Sequence, residues 1–104
     1  MATRAAPPDL NSALARLRAS EAELRAVGVR HAAVFGSVAR GAARPGSDVD
    51  VLIEFSAGEE PDLFAYAGLR RRIAELLPGA DVVERASLRP RLAPRILQEA
   101  VYAF

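Results

Sequence analysis

Gly36-Ser37, ten intervening residues and then Asp48-Val49-Asp50 supply the residue types that phosphate chemistry needs. A Gly-Ser turn offers backbone N–H groups and a hydroxyl to a phosphate. Gly36 follows an apolar, strand-like run from Val29 to Phe35. Glycine at that point lets the backbone turn sharply and approach a ligand with no Cβ in the way. Successive N–H groups in such a turn form an anion-binding nest. Asp48 and Asp50 lead into a second apolar run, Val51-Leu52-Ile53. Residues i and i+2 of a strand share a face, so both carboxylates face one point. Two close carboxylates resist ionising together unless a cation sits between them. The spacing therefore reads as a Mg²⁺ site, which Mn²⁺ could also fill, beside a phosphate cradle.

From average residue usage, a chance match to this Gly-Ser/Asp-x-Asp spacing in a chain of 104 residues has odds of roughly 10⁻³. Its context of strand, turn, loop, acids and strand adds to its specificity. A third acid, Asp81, stands at the start of a short apolar run, Ala80–Glu84. A strand there lying beside the second would bring Asp81 near Asp50. Strand parity turns Glu84, the competing acid, to the opposite face.

Three segments, Phe35-Gly36-Ser37-Val38-Ala39-Arg40-Gly41, Ser47-Asp48-Val49-Asp50-Val51-Leu52-Ile53 and Asp81-Val82-Val83, carry a family resemblance. The chain resembles the nucleotidyltransferase superfamily with the DNA polymerase β-like fold. Within it, the chain is most similar to the minimal nucleotidyltransferases encoded beside HEPN-domain partners. The resemblance runs from about Val29 to the C-terminus. It implies an α/β (α+β) fold, with a small mixed sheet of about three strands flanked by helices. It further implies ATP as substrate, two Mg²⁺ ions, and Asp48, Asp50 and Asp81 as metal ligands and catalytic residues. Asp81 would orient or deprotonate the attacking hydroxyl, and Gly36, Ser37, Arg40 and Ser47 would bind nucleotide.

Length and composition fit one catalytic core. A chain of 104 residues reads as a single domain, and 51% hydrophobic residues argue for a folded protein. The formal net charge of +1 gives no reason to expect nucleic acid as the partner. Residues 48–62 carry Asp48, Asp50, Glu54, Glu59, Glu60 and Asp62 with no base, whereas residues 85–104 set Arg85, Arg89, Arg91 and Arg95 against Glu99. The absence of cysteine excludes disulfides and thiol catalysis. No apolar run approaches the ~18 residues of a membrane span, and no signal peptide is visible, so a cytoplasmic location is expected.

Along the chain, residues 1–8 read as a flexible tail. Leu10, Leu14, Leu17, Leu24 and Val27 fall on one helical face that Gly28 would end. Strands are expected at Val29–Phe35, Val49–Phe55 and Ala80–Glu84, the second central because it is almost wholly apolar. A short helix starts at Ser37, and a longer one has Pro61 at its first position and Tyr66, Leu69, Ile73, Leu76 and Leu77 on its apolar face. A last helix restarts at Pro94 and uses Ile96, Leu97, Ala100 and Val101.

Arg40, one helical turn after Ser37, can reach a triphosphate or the charge developing on pyrophosphate. Ser47 either caps its turn or binds nucleotide. His31, the only histidine, reads as a structural strand residue. Arg70-Arg71-Arg72 reads as a solvated helix face, and Tyr66 and Tyr102 as buried packing residues. Almost every residue is used by the core, so an acceptor must be held by another subunit or a docking protein. The leading expectation is transfer of AMP from ATP to a hydroxyl of a partner protein. By the resemblance, that acceptor is a tyrosine of a HEPN toxin and this chain is its antitoxin. Two alternatives stand beside it: a non-catalytic module that neutralises a toxin by occlusion, and a tRNA or small-molecule nucleotidyltransferase whose homodimer forms the acceptor cleft.

Overall fold

The computed structural model of the chain describes residues 7–104, so the tail expected at 1–8 lies largely outside the described residues. Asp9 caps the first helix, α1 (Leu10–Ala19), its carboxylate accepting from the Ser12 N–H at 3.0 Å. The single helix face expected from Leu10 to Val27 is in fact two helices. Ser20 leaves helical geometry at φ −105°, ψ 15°, and α2 (Glu21–Ala26) begins anew behind it. Serine is a weak helix-interior residue, and Glu21 and Glu23 favour a fresh helix N-terminus at this point. Leu24 stays buried, while Val27 turns outward and is 49% exposed. Gly28 closes α2 at φ 98°, where a Cβ would also collide with the Glu59 carbonyl.

Four strands, β1 (Val29–Phe35), β2 (Val49–Phe55), β3 (Ala80–Glu84) and β4 (Val101–Tyr102), form one sheet in the order β3-β2-β1-β4. β1 runs antiparallel to β2 and β4, and β2 runs parallel to β3, so the sheet is mixed with β2 inside it. The parallel step is bridged by α4 (Leu63–Leu76), as parallel neighbours require a crossover. Asp62 caps this helix, accepting from the Ala65 N–H at 2.8 Å, so Pro61 precedes the cap rather than opening the helix. The expected strand count of about three becomes four because Val101 leaves the last helix and pairs with Val34. A two-residue strand is too short to show alternation in sequence, and it forms on the open edge of β1. Arg18 secures it, donating from Nε to the Ala103 carbonyl at 2.9 Å. Among the described residues, no helix is long and apolar enough to cross a membrane.

Alternation along the strands sorts the core into two faces. On the first, Ala32, Val34, Val51, Ile53 and Val82 pack with Leu14, Leu17, Leu24, Leu69 and Ile73 from α1, α2 and α4. On the second, a smaller cluster of Ala33, Phe35 and Leu52 is covered by Leu88, Ile96, Leu97 and Ala100. Its cover comes from a short 3₁₀ turn (Arg85–Ser87) and the helix that ends the chain's helical part (Ala93–Glu99). Asp50 shares parity with Leu52 and so belongs to the second face.

Candidate active site

The backbone register aligns the chemistry. Phe35, the last residue of β1, pairs with Asp50 of β2, and Asp50 pairs in turn with Asp81 of β3. The glycine turn and two of the three acids thus lie in one row across neighbouring strands, which sit ~4.8 Å apart. Gly36 opens α3 (Gly36–Ala39), the short helix that carries Ser37. Its φ of 76° lies in the left-handed region, and a Cβ there would collide with the Asp50 carboxylate. Both the backbone conformation and the approach of that carboxylate therefore require glycine.

Asp48 precedes β2 and is exposed, as is Asp81, whereas Asp50 is half-buried. Burial is the largest influence holding the Asp50 carboxyl above its ordinary range; Asp81 and then Asp48 push the same way, Arg40 opposes them and Glu99 adds to them. The register thus sets Asp81 beside Asp50, with Asp48 two residues before Asp50 in the chain. Among the described residues, no three acidic or histidine side chains close into a metal cage. An open set of carboxylates still fits Mg²⁺, which keeps several waters and is usually held by one or two carboxylates together with substrate phosphates.

Arg40 ends α3, and its Nη1 contacts Glu99 Oε2 at 3.2 Å and Oε1 at 3.3 Å. The Gly36 N–H donates to the same carboxylate, at 3.0 Å from Oε1. Sequence reasoning missed Glu99 as a member of this site. Its one distinguishing mark in the sequence is that it is the only acid among the C-terminal arginines. Ser47 uses its Oγ to accept from the Arg44 N–H at 2.8 Å, which is the turn-capping role. His31 lies edge-on to Tyr102 with ring centroids 5.9 Å apart, and along β1 it pairs with Glu54, whereas Phe35 pairs with Asp50. Tyr102 is 42% exposed, because β4 turns its side chain outward, and so is not a buried packing residue. Arg72 is occupied by Glu23, at 2.6 Å from Nε, and by Glu75 at 3.3 Å.

A model of the nucleotidyltransferase domain matches residues 16–103. The chain belongs to that family. As a nucleotidyltransferase it is 41% identical over 88 residues to the protein adenylyltransferase MntA of Thermococcus cleftensis, covering 83% of this chain and 87% of that protein. A solved structure that carries the provisional name minimal nucleotidyltransferase superposes with a TM-score of 0.74 at 38% identity, covering 90% of this chain and 95% of that one. A toxin–antitoxin crystal structure with AMP-PNP shares the fold, with a TM-score of 0.65 at 20% identity over 84% of this chain and 72% of that one. These likenesses establish a nucleotidyltransferase enzyme with a mixed sheet flanked by helices.

Proposed function

We propose that this nucleotidyltransferase moves AMP from ATP to a hydroxyl on a partner protein, and that the partner is a HEPN-type toxin modified on tyrosine. The observation that carries this reading is the row formed by the Gly36 turn, Asp50 and Asp81 across three adjacent chain segments. The acceptor oxygen attacks the α-phosphorus, the bond to the bridging oxygen breaks, and pyrophosphate leaves. Asp81 is exposed on the edge strand, where an incoming acceptor can reach it, and it takes the hydroxyl proton. Gly36 and Ser37 hold phosphate oxygens through the turn, and Arg40 offsets the charge that builds on the leaving group. Asp48, Asp50 and Asp81 would hold Mg²⁺, which supplies Lewis-acid stabilisation of the attacking and leaving oxygens. The 41% identity with an enzyme named a protein adenylyltransferase favours a separate protein as acceptor.

The test is incubation with labelled ATP, Mg²⁺ and the protein encoded by the adjacent gene, followed by mass spectrometry of both chains. AMP on a partner tyrosine is the expected result. Label retained on tRNA or a small molecule, with none on the partner, would move the enzyme to a different acceptor class.

A further inference from the structure

The two donors best placed to bind phosphate are already occupied by an acid of the same chain. Glu99 accepts from the Gly36 N–H at 3.0 Å and pairs with Arg40 at 3.2 Å. Its side chain is only 19% exposed, so this is a seated carboxylate and not a loose surface contact. Carboxylate and phosphate oxygens make the same demand on an N–H group and a guanidinium, namely short charge-assisted hydrogen bonds. A triphosphate could not settle on Gly36 and Arg40 while Glu99 held them.

Resting on the nucleotide site proposed above, we propose that Glu99 is an in-chain placeholder for a nucleotide phosphate. It keeps the Gly36 turn and Arg40 in their binding arrangement and yields both donors when the triphosphate arrives. Its location permits this exchange. Glu99 is the last residue of the helix Ala93–Glu99, and Ala100 behind it is already extended. The helix itself is anchored by Ile96 and Leu97 against the second sheet face, and Ala100 behind it packs on the same cluster. Rotation of one side chain therefore releases the site without undocking the helix.

The experiment is calorimetry of Mg²⁺ with AMP-PNP on the wild type, Glu99→Gln, Arg40→Ala and the double variant, with thermal melts to confirm folding. Removing a competing anion should tighten binding about three- to tenfold, the factor by which a blocked fraction lowers apparent affinity. The gain should shrink in the Arg40→Ala background, because part of the competition is for that guanidinium. Glu99→Ala gives the same readout should the glutamine variant melt too low. Unchanged or weaker binding by folded Glu99 variants would overturn the placeholder and leave Glu99 as a structural clasp. Failure of every protein to bind, the wild type included, would instead reject the nucleotide site and the placeholder with it.

Discussion

The two faces of the sheet are built from the same strands and do opposite work. On the first, β1, β2 and β3 contribute Ala32, Val34, Val51, Ile53 and Val82 to a continuous apolar cluster closed by four helices. On the second, apolar cover stops after Ala33, Phe35 and Leu52, and the next position along β2 on that face is Asp50. Stability is concentrated on one side, and the other keeps a carboxylate that burial and its neighbours disfavour in the ionised form. Natural proteins accept such a local loss where a site needs charge, because the rest of the fold offsets it. The difference can be attacked from either side.

The largest effect should follow from Asp48→Asn combined with Asp50→Asn. These are proposed Mg²⁺ ligands, and without the metal several kcal/mol of transition-state stabilisation would be lost, so transfer should fall by roughly 10³-fold or more. The melting temperature should hold or rise. A transfer assay showing near-normal rates would remove these carboxylates from the site. A cavity on the opposite face should do the reverse. Ile73 is fully buried, and Ile73→Ala should cost about 2–5 kcal/mol of stability. Denaturant unfolding would read that loss, while transfer by the molecules still folded should stay close to normal.

Gly36→Ala tests the point where backbone meets site. The left-handed φ and the collision with Asp50 should cost on the order of 1–3 kcal/mol and slow transfer as well, because the displaced carboxylate is a proposed ligand. A variant that matched wild type in both melt and rate would show that the turn is not needed as built. The smallest effect concerns Asp50→Asn alone without added metal. The folded-state pKa of Asp50 is raised, so its favourable contribution is present below the ordinary value of 3.8 and is lost as pH rises through the raised value. At neutral pH the asparagine variant should therefore melt slightly higher, by less than about 1 kcal/mol once solvent screening is allowed for. That gap should close as pH falls below about 4, where both side chains are neutral.

The first face and the acid row were legible in sequence because both follow from short-range periodicity. Val49–Phe55 reads as an apolar run, Gly36 as a turn after a strand, and Asp81 as the head of the next strand. Placing the parallel strands side by side then brings Asp81 to Asp50. Features set by longer-range packing were not legible. The break at Ser20 depends on how two short helices seat on the sheet, and β4 exists only because the chain returns to the open edge of β1. Glu99 lies 63 residues from Gly36 in sequence, and no local pattern signals that a helix end will reach the glycine turn. Arg72 reads as part of a solvated helix face in sequence, and its pairing with Glu23 on another helix is likewise set by packing.

The most direct test of the central claim, that this face performs chemistry on a partner and does not merely cover it, is a growth-rescue assay paired with co-purification. The Asp48→Asn, Asp50→Asn double variant keeps the shape of both side chains, so any docking surface should survive while the negative charge proposed to hold Mg²⁺ is gone. Retained binding to the proposed toxin partner with loss of protection is the result expected of an enzymatic antitoxin. Full protection by the double variant would contradict it and show that occlusion alone neutralises the toxin.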